Sequence, residues 1–137
     1  NFKQQEEILM FEKATKKKYR FETQQGALLS VEDLWDLPLQ HASKPSLDAV
    51  AIRLNQTIKQ FSEESFVAKK TAGENELQEK FEIVKHIIAV KQAEEEARQD
   101  AAKTRIQNQR IREILDQKKD SELLNKSVEE LQAMLKD

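Results

Sequence analysis

A chain of 137 residues with 38% apolar and 35% charged side chains is lean in core and rich in surface, which suits extended helices better than a compact globule. Its formal net charge of −2 supplies no global field for nucleic acid or an anionic membrane, and two glycines and two prolines leave few points at which the chain must break. With no cysteine it has no disulfide, no thiolate metal site and no cysteine nucleophile, as fits a reducing compartment. No apolar run approaches the roughly 18 residues of a membrane span, and no signal-peptide core is present, so the expected setting is cytoplasmic.

Residues 1–9 stand apart. Met10 opens the segment Phe11-Glu12-Lys13-Ala14-Thr15, which reads as a natural beginning. Glu6-Glu7 can be encoded by GAGGAG, a purine-rich bacterial ribosome-binding site a few bases before the Met10 codon. Residues 1–9 are therefore read as a leader or tag-like extension, or else as ordinary first helix turns using Phe2, Ile8 and Leu9.

Tyr19-Arg20-Phe21-Glu22-Thr23 alternates aromatic with charged residues, the period-2 pattern of a half-buried strand. Gln24-Gln25-Gly26 predicts a turn with Gly26 at positive φ, and Ala27-Leu28-Leu29 the returning strand of a small hairpin. Two strands alone are marginal in water, so the hairpin must lean on a helix. Ser30 is expected to cap a short helix through Leu34, Trp35 and Leu37, with Glu32 and Asp33 at its positive end and Pro38 ending it. Residues 40–46 read as a loop.

Ser46 caps a predicted helix from Leu47 to about Phe61, with Leu47, Val50, Ala51, Leu54, Ile58 and Phe61 on one apolar face. Ser62 to Asn75 is polar and reads as a loop anchored by Phe66-Val67. From about 75 to 119 there is neither Gly nor Pro. A helix over that span reaches roughly 67 Å, more than one small domain needs, so part of it is expected to project or pair. Leu77, Phe81, Val84, Ile87 and Ile88 are expected to close a core with 47–61. The apolar face then thins to Ala93, Ala97, Ala101 and Ala102, and returns at Ile106, Ile111, Ile114 and Leu115. Ser127-Val128-Glu129-Glu130 is a capping box opening a last short helix with Val128, Leu131, Met134 and Leu135. That helix is expected to fold onto Ile111, Ile114 and Leu115, or onto the same face of a partner chain.

The expected fold is thus mainly α with a minor β component: a small β-hairpin packed on a helical core, one long projecting helix and a short C-terminal helix. Residues 10–90 form the hairpin and core. Residues 91–137 form the helix extension and terminal helix of the same domain.

Nothing in the chain assembles a catalytic or cofactor motif. His41 and His86 lie in different elements, HExxH spacing is absent, and Gly26 and Gly73 make no phosphate loop. An enzyme is not expected, and neither is a cofactor, metal or small-molecule ligand. Charge is segregated instead. From Glu74 to Ala97 seven acids face three bases, and from Arg98 to Lys119 seven bases face three acids. The helix dipole accounts for that order by itself. It also suits antiparallel pairing of one chain's acidic block with another's basic block. Val90, Ala97, Thr104 and Ile111 recur every seven residues, Ala93 and Ile114 fit the intervening seam, and Asp100 and Gln107 interrupt it. The length of the helix favours pairing.

The expected partner-binding residues are Trp35, Val90, Ala97, Ile111, Ile114, Leu115, Leu131, Met134 and Leu135. Trp35, in the dense cluster Leu34-Trp35-Asp36-Leu37-Pro38-Leu39, is core or an exposed anchor. The alternative reading is nucleic-acid binding. It uses segment 13–20, with Lys16, Lys17, Lys18 and Arg20 beside Tyr19 and Phe21, and segment 103–112, with Arg105, Arg110 and Arg112.

Several stretches resemble a group of small bacteriophage-encoded proteins, mostly of unassigned function. They are Phe11-Glu12-Lys13-Ala14-Thr15, Tyr19-Arg20-Phe21-Glu22-Thr23 through Gly26, Ser30-Val31-Glu32-Asp33-Leu34-Trp35-Asp36-Leu37-Pro38-Leu39, Ser65-Phe66-Val67, Phe81-Glu82-Ile83-Val84-Lys85-His86 and Ser127-Val128-Glu129-Glu130-Leu131-Gln132-Ala133-Met134-Leu135. The resemblance covers most of 11–137 and leaves out 1–9. It implies a phage origin, expression in the bacterial host cytoplasm and, as an option, incorporation in the virion. It brings no catalytic residues. The expected partners are a second copy of the chain and an unidentified phage or host protein.

Overall fold

The computed structural model describes residues 2–64 and 72–136. In chain order they form helix α1 (Phe2–Lys16), strands β1 (Phe21–Glu22) and β2 (Leu28–Leu29), and helices α2 (Val31–Trp35), α3 (Leu47–Glu64), α4 (Ala72–Leu124) and α5 (Val128–Met134). The protein is mainly helical, with one antiparallel hairpin, one long helix and a short C-terminal helix. The chain divides into two units, Asn1–Glu94 and Glu95–Asp137, and α4 contributes to both.

Residues 2–9 are the first turns of α1, and Met10 and Phe11 pack against the core. The helix stops at a Schellman motif. Tyr19 N–H donates to the Ala14 carbonyl (3.0 Å) and Lys18 N–H to that of Thr15 (3.2 Å), so two otherwise orphaned carbonyls are satisfied. Ala14 and Tyr19, which bracket the motif, are both buried. The residue at the bend is Lys18, at φ +55°. A side chain is strained there and glycine is not. Lys18→Gly is therefore expected to stabilise the protein by about 0.5–1 kcal/mol in urea denaturation. A destabilised variant would mean that the lysine side chain contributes more than its backbone costs.

The alternation over 19–23 appears as burial: Tyr19, Phe21 and Thr23 point inward while Arg20 and Glu22 are exposed. The regular ladder is shorter than that stretch, pairing only Phe21 with Leu29 and Glu22 with Leu28. The turn closes through Gly26 N–H to the Thr23 carbonyl (3.0 Å) and Thr23 N–H to the Ala27 carbonyl (2.9 Å), with Gly26 at φ +86°. The Thr23 hydroxyl, though buried, accepts from Ala27 N–H at 3.1 Å.

Ser30 caps α2 as expected. The reciprocal bond comes from Asp33, whose carboxylate accepts from Ser30 N–H at 3.0 Å while Asp33 N–H donates to the Ser30 hydroxyl at 3.2 Å. At the other end of α2 the Lys91 ammonium donates to the carbonyls of Trp35 (3.0 Å) and Leu37, tying α2 to α4. The α2–α3 loop is held by His41, whose Nδ1 accepts from Ser43 N–H (3.1 Å) and Lys44 N–H (2.9 Å). Ser46, buried, accepts from Ala49 N–H and caps α3. Leu47 and Asp48 N–H groups donate to the Pro38 and Leu39 carbonyls.

The core of the Asn1–Glu94 unit gathers Ala14, Tyr19, Phe21, Leu34, Leu47, Val50, Ile83, Val84 and Ile87. Leu77, Phe81 and Ile88, expected on the core-facing side, are half-buried. Ile83, outside the predicted face, is fully buried beside Val84. Adjacent helical residues point about 100° apart, so burial of both requires α4 to be packed from two directions. One is α1, reached through Lys13 and Glu7; the other is α2, reached through Lys91. Burial along α3 fades from Leu47 to Phe61, which is 41% exposed.

Three predicted boundaries move. The helix expected to end near Phe61 continues to Glu64, and the one expected over 75–119 runs from Ala72 to Leu124. Residues 62–64 and 72–75 are therefore helical, and the predicted Phe66-Val67 anchor lies outside the described residues.

Candidate association surface

In the Glu95–Asp137 unit every described residue is exposed except Glu95 and Ala102, which are half-buried. No core forms there. Ile111, Ile114 and Leu115 retain 45%, 44% and 50% of their surface. They follow one another at i, i+3 and i+4, so they share one face. Ala97 is exposed on the same helix, and Ile106 is 70% exposed. The charged residues around them include a bidentate Arg98–Glu95 pair (Nε at 3.0 Å and Nη2 at 2.5 Å).

Helix α5 begins at Ser127, whose hydroxyl accepts from Glu130 N–H at 3.1 Å. It presents Val128, Leu131, Met134 and Leu135, of which Leu131 is the most covered at 36% exposure. The expectation that it folds onto Ile111, Ile114 and Leu115 does not hold. Seven helical residues span about 10 Å, while those three lie ~14–20 Å from the end of α4. The apolar residues of α4 also keep no single face along its 53 residues, so the amphipathic stripe is local and not helix-long.

The remaining predicted contacts lie in the Asn1–Glu94 unit. Val90 is half-buried and, with Met10, Ala89, Ala93, Glu7 and His86, lines an open groove of about 760 Å³ between α1 and α4. There His86 Nδ1 stands 3.6 Å from Glu7 Oε1, and the Phe11 ring meets the imidazole edge-on at 5.4 Å between centroids. Trp35 is 38% exposed, whereas its neighbour Leu34 is fully buried and anchors that cluster.

Of the predicted basic segment 13–20, part is engaged within the protein. Lys13 pairs with Glu79, Lys16 with Glu12 at 3.0 Å, and Arg20 donates to the Tyr19 carbonyl at 3.0 Å. Lys17 and Lys18 are exposed, as are Arg105, Arg110 and Arg112. The acidic block is likewise drawn on: Glu79 accepts from both Lys13 and the Tyr19 hydroxyl. Burial raises the Glu79 pKa, but the Lys13 and Tyr19 bonds outweigh it and hold the carboxyl below its usual range. Burial, then the bond to Glu79 and its charge, push the Tyr19 phenol well up. The Lys80 ammonium sits 5.6 Å from the Tyr19 ring centre and 5.9 Å from that of Phe21. No local pattern announces this cluster, because its members are 60 and 66 residues apart.

Among the described residues, no helix is long and apolar enough to cross a membrane, and no group of three or more His, Asp or Glu side chains is placed to hold a metal ion. The molecule is thus a mainly helical protein with one packed unit and one helical unit whose apolar residues lie open. No protein-family model, curated protein or solved structure matches the chain.

Proposed function

We propose that this chain is a non-catalytic bacteriophage accessory or structural protein, acting in the host cytoplasm by self-association and protein–protein binding through α4 and α5. The observation that carries the reading is the open apolar surface of Ile111, Ile114, Leu115, Leu131, Met134 and Leu135 on elements that form no core of their own. Exposed apolar residues clustered on a regular helix favour association. The sequence resemblance supports the phage setting. Trp35 offers a separate contact on the other unit.

Light scattering coupled to size-exclusion chromatography tests it. The native chain is expected to run as a dimer or higher oligomer, and Ile111→Asp as a folded monomer of native helix content, since Ile111 supports no core within the chain. A native monomer at both low and high salt overturns self-association.

The second reading is nucleic-acid binding. It is favoured by the stretch 103–112, where Lys103, Arg105, Arg110 and Arg112 occur with no acid and all are exposed. Its affinity would fall steeply with salt and be lost on neutralising Arg105, Arg110 and Arg112. The pairing of Lys13 and Lys16 within the protein weakens the N-terminal half of that site.

A further inference from the structure

Charge and apolar placement in the Glu95–Leu124 part of α4 share one centre. Residues 103–112 carry Lys103, Arg105, Arg110 and Arg112 and no acid, a net charge of +4. Residues 113–122 carry Glu113, Asp116, Asp120 and Glu122 against Lys118 and Lys119, a net charge of −2. The sign changes between Arg112 and Glu113. That is also the midpoint between Ile111 and Ile114, the two isoleucines of the open apolar face.

We propose that this stretch binds a second copy of itself running antiparallel, with Ile111 of each protomer against the partner's Ile114. The proposal rests on the self-association reading and adds its partner, direction and register. In this register the +4 segment of one protomer lies along the −2 segment of the other, twice over. Along the seam Gln107 meets the partner's Lys118 and Thr104 the partner's Ser121, polar layers that exchange hydrogen bonds. A parallel pair in register sets the +4 segments side by side and faces Lys118 with the partner's Lys118, a repulsion that nothing in the seam relieves. The register suggested by the larger blocks, acidic 74–97 against basic 98–119, is closed. It would bring Ile111 onto Val84, which is fully buried in the core of the Asn1–Glu94 unit.

The chain has no cysteine, so single thiols report without background. Full-length Ile111→Cys and Ile114→Cys chains, one carrying a size tag, are mixed and oxidised mildly. The mixed-size disulfide product is expected to exceed both same-size products about tenfold. Excess same-size products overturn the antiparallel arrangement and leave self-association standing. A native chain that scatters as a monomer at the same concentration overturns both. A spin label at Gln99→Cys, exposed and outside the apolar face, leaves the isoleucines in place. Its interprotomer distance is expected near ~40 Å for the antiparallel register, and about 10 Å in a parallel pair overturns it.

Discussion

Phe21→Ala is expected to destabilise the Asn1–Glu94 unit by about 3–5 kcal/mol in urea denaturation. Phe21 is 1% exposed and belongs to a ladder of only two residue pairs, which has little stability of its own. The ring fixes the hairpin to the helices, in a core built from Leu34 of α2, Leu47 and Val50 of α3, and Ile83, Val84 and Ile87 of α4. Truncation removes its burial, leaves a cavity the rigid helices cannot close, and takes away one of the two ring faces near the Lys80 ammonium. A domain stable by ~5–15 kcal/mol would lose a large share of that margin. Leu28→Ala, on the opposite strand but 66% exposed, is the control and is expected to stay within about 0.5 kcal/mol. Equal losses in the two variants would mean that the hairpin is not packed through Phe21.

The second large effect is the dependence of stability on pH through Glu79 and Tyr19. The Glu79 carboxyl is depressed below its ordinary value of 4.5 in the folded protein. Its contribution is therefore full above about that pH and is lost as pH falls through the lower folded value. Tyr19 is raised above its ordinary 10.0, so its contribution is full below pH 10 and is lost as pH rises beyond it, when the tyrosinate that an unfolded chain accepts has no place beside Glu79. Denaturation midpoints are expected to fall at both ends. Glu79→Gln removes the negative charge that pairs with Lys13 but keeps an acceptor for the phenol. It is expected to cost about 1.5–3 kcal/mol at neutral pH and to flatten the acid limb. Tyr19→Phe is expected to remove the alkaline limb and to shrink the acid one without abolishing it, since Lys13 still holds Glu79 down. An acid limb unchanged in Glu79→Gln would place its origin in other carboxylates.

Much of the local structure is legible in the sequence because its causes lie within a few residues. Ser30, Ser46 and Ser127 mark helix starts, since each hydroxyl captures an amide three residues on. The inward set Tyr19, Phe21 and Thr23 follows from the period of an extended chain, and Gly26 from the positive φ its turn demands. The long glycine- and proline-free run after Gly73 announces α4, though its ends do not, because helix formers flank the predicted boundaries on both sides.

The open apolar surface of α4 and α5 is half legible in the sequence. The spacing of Ile111, Ile114, Leu115 and the α5 residues says that they share a face and not whether anything covers it. Coverage depends on reach, and α5 is too short to return over them. The same limit hid Ile83, whose burial needs neighbours on a second side of α4. It also hid the Lys13–Glu79–Tyr19 cluster, whose groups meet only after the helix and hairpin pack. The sequence alone determined the helices, the hairpin and the order of charge along α4, because propensity, capping and periodicity act over one or two turns. Only the tertiary structure decided which apolar residues are buried, which charges are paired inside and which groups remain exposed, because those outcomes depend on groups brought together from distant parts of the chain.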